Sequence, residues 1–301
     1  MTTTSIQKTI SPLAWAELAL LSTIWGASFL SIRIALDELP PLTTVAHRVF
    51  WAMLILWGYV LVRKLPIPKD PKIWGAFLGM GLLNNVIPFS LMAWSQFHIE
   101  TGLTSILNAA TAVFGVLVAA IFFADERLTS RRMIGVLLGF LGVATAIGLS
   151  SLAQFDLRSL GQLAVLGGTL SYALAGVWAR KRLTGLAPQV AAAGMVTGST
   201  LIMIPLAYFI DGPFDLSRSS RTWIAIGYYA VVATAFAYLL YYRVLAMAGS
   251  GNLMLCTLLV APVAIVLGAL ILGETLRPQA YLGFALLALG LMVLNSKSRK
   301  N

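Results

Sequence analysis

The chain has 301 residues, and only 11% of them are charged, against about 25% in a soluble domain. Hydrophobic residues make up 59%, which excludes a water-solvated globular core as the main way this chain folds. The net charge is +10, and the single cysteine, Cys256, excludes an intrachain disulfide and a thiolate metal cluster.

Apolar runs long enough to cross a hydrocarbon layer of about 30 Å recur along the whole length. The first follows a polar tail holding Lys8, is too long for a signal-peptide core, and reads as an uncleaved span over 13–36. Pro40-Pro41 punctuates the chain before a second span, 42–62, and Pro66, Pro68 and Pro71 precede a third, 73–95. The fourth and fifth spans are predicted over 102–123 and 131–149, the sixth and seventh over 160–180 and 189–210. Gly212-Pro213 opens the longest polar stretch, Asp211–Arg221, which is too short to fold alone. The eighth span, 222–246, is parted from the ninth, 252–273, by Gly249 and Gly251, and Pro278 introduces the tenth, 279–295.

Ten spans place both chain ends on one side. That side then takes fifteen of the Lys and Arg residues and the opposite side six, namely Arg33, Arg48, Arg158, Arg218, Arg221 and Arg277. Cation-rich loops resist translocation, so the richer side is expected in the cytoplasm. The basic excess is thus accounted for by orientation, and nucleic acid is not implied as a partner.

The chain also resembles itself. Trp74–Gly102 overlays Trp223–Gly251 without a gap, and Trp25–Arg33 overlays Tyr172–Arg180. Glu126-x-Leu128 with Gly135 and Gly142 is repeated by Glu274-x-Leu276 with Gly283 and Gly290, at the same spacings. Two similar units, 13–149 and 160–295, follow each other. Five spans is an odd number, so the second unit enters the membrane from the opposite face. The expected fold is an all-α polytopic membrane protein of about ten transmembrane helices in two inverted five-helix repeats, enclosing a site near the midplane.

Trp25-Gly26-Ala27-Ser28-Phe29, then Pro40-Pro41 and Arg48, resembles the opening of an EamA domain. Leu272-Gly273-Glu274-Thr275-Leu276, followed by Gly283 and Gly290, resembles its closing segment, with Ala124-Asp125-Glu126-Arg127-Leu128 in the equivalent place of the first unit. The resemblance covers nearly the whole chain and implies the drug/metabolite transporter superfamily, bacterial EamA branch: ten-helix carriers, many exporting amino acids and related metabolites. Spacing and aromatic content are similar to those of YddG-type exporters of aromatic amino acids. One departure is that Phe114 stands where the fourth helix of a unit usually carries a proline, as Pro262 does in the second unit. A straighter fourth span is therefore expected.

Polar residues at membrane depth are costly unless they face a cavity or a partner. Asn84 and Asn85 lie mid-span just before Pro88, whose missing N–H frees a carbonyl. Paired amides and a freed carbonyl suit a small zwitterion, and asparagines also tie helices together in lipid. Asn108 and Thr111 stand one turn apart on a single face of the fourth span, as a path or a helix seam. Trp25 and Ser28 form a similar pair, Tyr172 is equivalent to Trp25, and Tyr238 lies one turn from Tyr241. These aromatic faces suit stacking or ammonium binding; interfacial belt positions account for Trp51, Trp57, Trp74 and Trp223. Arg48 is expected to snorkel towards a cavity mouth.

No Asp or Glu is expected at mid-membrane depth, which favours facilitated flux or coupling through weaker groups. The two histidines, His47 and His98, lack metal-ligand spacing, and there is no phosphate-binding glycine loop. No cofactor, metal or catalytic residue is implied, and an embedded enzyme is disfavoured. The expectation is an inner-membrane, alternating-access exporter of small metabolites, first amino acids of aromatic or neutral type. Sugars, nucleosides or cationic drugs are the rival cargoes, and a non-transporting scaffold is the rival class.

Overall fold

A computed structural model of the protein describes residues 11–124, 129–147, 157–253 and 255–295, and the regular elements among them are all helices. Glu126 and Arg127, and the terminal cations Lys8, Lys297, Arg299 and Lys300, lie outside the described residues. Ten rods follow one another: α1 Pro12–Ala35, α2 Pro41–Val62, α3 Pro71–Ser95, α4 Thr101–Phe122, α5 Ser130–Ile147, α6 Leu157–Arg182 and α7 Pro188–Ile210. Then come α8, running from Ser220 to Leu253, α9 Leu255–Leu272 and α10 Pro278–Asn295.

Five rods begin on a proline (Pro12, Pro41, Pro71, Pro188 and Pro278), where a missing N–H costs nothing. Ser11 caps α1 by accepting from the Ala14 amide at 3.2 Å, and Asp70 caps α3 through Lys72 at 2.9 Å. Among the described residues, seven rods have both the length and the hydropathy to cross a bilayer, and α9 and α10 hold the shorter apolar stretches Leu259–Leu272 and Pro278–Leu294. Phe209 is 82% and Leu270 79% exposed. Side chains of that size held outwards along such rods are solvated by acyl chains.

Two expectations are corrected. Gly249 and Gly251 do not separate two helices; α8 runs through both to Leu253. In lipid no water competes for the backbone groups of a glycine, so the helical ladder holds. And α4 is not the straighter helix: it breaks at Ala109 and Ala110 without a proline, while α9 runs unbroken past Pro262. Through the break the amides of Ala109, Ala110, Ala112 and Val113 bond three residues back. This tightened turn releases the Asn108 carbonyl to the Thr111 hydroxyl at 2.7 Å.

The packing is two-fold in pattern. Matching α1–α5 to α6–α10, α2 packs on its own counterpart α7, α5 on α10 and α4 on α9. The remaining principal contacts come in exchanged pairs: α1–α9 with α6–α4, α3–α6 with α8–α1, and α3–α7 with α8–α2. The start of α2 meets the end of α7, where the Thr43 amide donates to Asp211 at 2.7 Å, so counterparts run antiparallel. The two five-helix repeats are inverted.

At the α5–α10 contact, Gly135 touches Gly290 while Gly142 touches Gly283, each pair being the other's image under the repeat. A Cβ on Gly142 would lie 2.5 Å from the Leu287 nitrogen and 2.7 Å from the Gly283 carbonyl oxygen, both backbone atoms that cannot yield. Of the glycine pair Gly75 and Gly79, by contrast, only Gly79 is pressed, against the Trp178 indole; Gly75 has open space. Gly142→Ala should therefore destabilise the protein by about 1–3 kcal/mol. A thermal scan in detergent should show a clear fall in Tm for that variant and little change for Gly75→Ala.

Candidate functional site

A cavity of about 720 Å³ lies between the repeats. Its walls come from α1–α4 and α6–α9, while α5 and α10 contribute no side chain to it and form a strut alongside. Two widened helical segments flank it, Leu82–Val86 in α3 and Tyr228–Phe236 in α8. They occupy the same place in the gapless overlay of Trp74–Gly102 on Trp223–Gly251.

In α3 the widening precedes Pro88, and the Ile87 amide reaches five residues back to the Leu82 carbonyl. The Leu83 carbonyl is taken by the Ser171 hydroxyl of α6 at 2.6 Å, so this acceptor serves a helix contact. In α8 no proline is present, and the Thr234 hydroxyl donates to the Tyr229 carbonyl at 2.7 Å, again five residues back. Such bulges turn side chains off the regular helical face.

Asn84 lines the cavity, whereas Asn85 is completely buried behind it. The Asn85 amide donates to Ser199 of α7 at 2.8 Å, and its oxygen accepts from the Tyr238 hydroxyl at 3.2 Å and from Asn84 at 3.3 Å. Asn85 thus holds two cavity side chains from two helices. Asn108 and Thr111 both line the cavity, and the Asn108 side-chain oxygen is buried without a partner among the described residues. Trp25 lines it with its indole N–H on the Ala233 carbonyl at 3.2 Å and its ring 5.8 Å from that of Tyr241. Ser28 lies in the same wall, its hydroxyl spent on the Trp25 carbonyl at 2.7 Å. Tyr172 faces Phe89, ring centroids 6.4 Å apart, and Tyr238 completes the aromatic wall.

Arg48 does not snorkel outwards. It is 9% exposed, its Nε donates to Thr234 at 2.9 Å, and its guanidinium lies 3.8 Å from the centre of the Phe89 ring. A face-on ring is worth about 2 kcal/mol to a desolvated cation. The residues that sequence reasoning missed are Phe89, Met195 and Gln96, all in the lining. Phe89 was findable, because the gapless overlay pairs it with Tyr238. Gln96 sits at the end of α3 and reads as an ordinary loop polar residue, and Met195 as ordinary core.

The two ends of the cavity differ. One reaches the exposed Arg180 near the end of α6, with Phe123, Tyr242 and Cys256 around it. The other stops at Gln96, which is 2% exposed. Beyond Gln96, carboxylates of one repeat hold helix starts of the other. Asp211 takes the amide and hydroxyl of Thr43 at the start of α2 (2.7 and 2.9 Å). Glu274 takes both from Thr101 at the start of α4 (2.9 and 2.5 Å), and the Gly102 amide at 3.3 Å. Glu38 takes the Ser219 amide and hydroxyl at the start of α8. Arg158 forks onto Glu100 at 3.1 and 2.9 Å. Negative charge at a helix N-terminus is favourable, and these ties together close that face.

The Ser219 hydroxyl and amide hold the Glu38 carboxyl below the ordinary carboxylate range, with Arg218 adding to the effect. The sign follows: this tie is fully present above the ordinary carboxylate pKa and is lost as pH falls through the lowered value. On the open face the cross-repeat contacts are fewer among the described residues, chiefly Arg243 with Glu17 and Arg180 over the Phe123 ring.

The profile of the EamA-like transporter family matches residues 13–148 and 159–296. A protein of Escherichia coli (strain K12) described as "Probable amino-acid metabolite efflux pump" is 27% identical over 284 residues, covering 91% of this chain and 92% of that one. One of Streptantibioticus cattleyicolor described as "Probable terminal-alkyne amino-acid exporter" is 28% identical, covering 96% of this chain and 95% of that one. A solved structure described only as "Crystal structure of protein" aligns with a TM-score of 0.67 at 18% identity, over 96% of this chain and 99% of that chain. It shares the fold.

The geometry of the closed face makes one expectation. With spin labels at the exposed Phe97 and Leu216 in a Cys256→Ser background, the distance between the two repeats should be single and short. Asp211→Asn combined with Glu274→Gln should add a longer component by electron–electron resonance. An unchanged distribution would mean that the seal lies elsewhere.

Proposed function

The chain belongs to the EamA-like transporter family, and we propose that it exports small metabolites, first among them amino acids of aromatic or neutral type, by alternating access. The observation behind this reading is a cavity between inverted repeats that is open at one end and tied shut at the other by cross-repeat carboxylates. A carrier of this build moves its load by rocking one repeat on the other, breaking the ties on one face as those on the opposite face form. The amino-acid assignment draws on the two relatives described as amino-acid exporters. Their identity to this chain supports a kind of cargo, not a particular compound.

The moving units are residues 13–149 and 160–295, and the protein sits in a bacterial inner membrane with both ends in the cytoplasm. The fifteen-to-six division of cations between the two faces supports that orientation. The open end of the cavity is then the cytoplasmic one, as loading for export requires. Trp25, Ser28, Asn84, Asn108, Thr111, Tyr172 and Tyr238 contact the solute. Asn85 acts through Asn84 and Tyr238: its three hydrogen bonds set where those side chains stand. Phe89, Trp25, Tyr172, Tyr238 and Tyr241 give the cavity an aromatic lining suited to a planar or apolar side chain.

Purified protein in proteoliposomes loaded with an aromatic amino acid should show counterflow that empty liposomes lack. Asn85→Leu removes an interhelical amide network worth about 1–3 kcal/mol and should cut the flux by about tenfold, while helicity by circular dichroism and insertion are retained. Unchanged flux in that variant would take Asn85 out of the mechanism. Flux of sugars or nucleosides with none of amino acids would replace the cargo, and no flux of any solute would favour the scaffold.

A further inference from the structure

We infer that Arg48 is a carboxylate anchor: the transported solute bears a single negative group, bound through the two free guanidinium nitrogens at the closed end of the cavity. The inference rests on the transport reading above and adds to it the charge of the cargo.

Three observations meet here. First, Arg48 is 9% exposed and lines the cavity, yet only its Nε has a hydrogen-bond acceptor, Thr234. Neither Nη atom has a partner among the described residues, and neither is among the buried orphaned atoms, so both reach the cavity space. Second, no Asp or Glu among the described residues lines the cavity, and its other charged residue is also a cation, Arg180 at the open end. The acidic groups nearest the membrane are engaged elsewhere, Glu17 by Arg243 and Glu274 by the start of α4. The Phe89 face beneath the guanidinium offsets part of the desolvation of a cation but supplies no negative charge. A guanidinium held at that depth without an anion is a binding site awaiting one.

Third, the site is one-sided. In the repeat register that pairs Trp25 with Tyr172, Arg48 pairs with Met195, which also lines the cavity. One wall therefore offers a two-pronged donor suited to a carboxylate, and the facing wall a thioether suited to an apolar body. Asn108 and Gln96 line the same cavity, and their side-chain oxygens, buried without a partner among the described residues, would accept from an ammonium group of the same solute once a turn of the amide brings them to the surface. The anion is a carboxylate and not a phosphate ester: one guanidinium balances one charge, and a dianion would leave a net negative charge in the membrane. Cationic drugs are excluded by the same sign.

The test uses matched probes that differ only in the anionic group. In proteoliposomes the wild-type protein should move phenylalanine faster than phenylalaninamide by at least about tenfold. Arg48→Gln should bring that ratio to below about twofold, with Arg48→Lys in between. Equal transport of the two by the wild type, or an unchanged ratio in Arg48→Gln, would overturn the anchor while leaving amino-acid export intact. A binding arm needs no flux: phenylacetate should raise the Tm of the wild type in detergent and phenylacetamide should not. That pattern without any flux of amino acids would uphold the anchor and overturn the amino-acid reading. A larger Tm rise with phenyl phosphate than with phenylacetate, or no rise with any anion, would overturn the carboxylate assignment. Both wild-type comparisons stand even where Arg48→Gln fails to fold.

Discussion

A hydrocarbon layer offers no hydrogen bonds, so every backbone and side-chain polar group at depth must find its partner inside the protein or in a wet cavity. Most of this structure can be read as the working out of that constraint. It keeps Gly249 and Gly251 helical. It sends the Leu83 carbonyl to Ser171 and the Asn108 carbonyl to Thr111, and it draws the Tyr229 carbonyl to Thr234. The polar atoms left over then stand out. Among the described residues they include, in the cavity lining, the Arg48 Nη atoms, the Asn108 oxygen and both polar atoms of Gln96.

Inverted repetition explains where that place is. Each repeat gives four helices to the cavity and one to the α5–α10 strut, where Gly135 with Gly290 and Gly142 with Gly283 bring the backbones together. Backbones in contact over such a seam make a stiff strut beside the cavity. The widened segments of α3 and α8 recur at equivalent positions although only α3 has a proline there. The recurrence belongs to the architecture, and Pro88 is one of two ways of stabilising it; the Thr234 hydroxyl bond is the other.

In the proposed transport role, the departures from symmetry set how a solute is held. Arg48 against Met195, Asn85 against Thr234 and Phe89 against Tyr238 are repeat-equivalent pairs with unlike chemistry. Arg48 reaches Thr234 of α8, and Asn84, next to Asn85, lies 3.3 Å from the Met195 sulfur of α7. The repeat image of the Arg48–Thr234 contact would be Met195 with Asn85; there the soft sulfur meets the adjacent Asn84 instead. A symmetric cavity would have no preferred end for a solute; this one has a cationic corner and an apolar wall. The closed face is held by carboxylates from both repeats, Asp211, Glu274 and Glu38, each on a helix start of the other repeat.

Hydrophobic length, proline punctuation and repeated spacing were enough to set ten membrane rods and their inverted order in the sequence, because bilayer thickness and backbone satisfaction leave few alternatives. The same patterns marked Trp25, Asn84, Asn108 and Tyr172, which the structure brings into one lining. What only the tertiary structure decided is which neighbouring side chain faces the space and which is spent behind it. Asn84 and Asn85 are adjacent letters, yet one lines the cavity and the other is fully buried on Ser199, because a widened helical turn shifts the register by an amount no periodicity encodes. Arg48, too, reads outward by its length, and only the positions of Thr234 and Phe89, 186 residues away for the first, turn its charge into the centre.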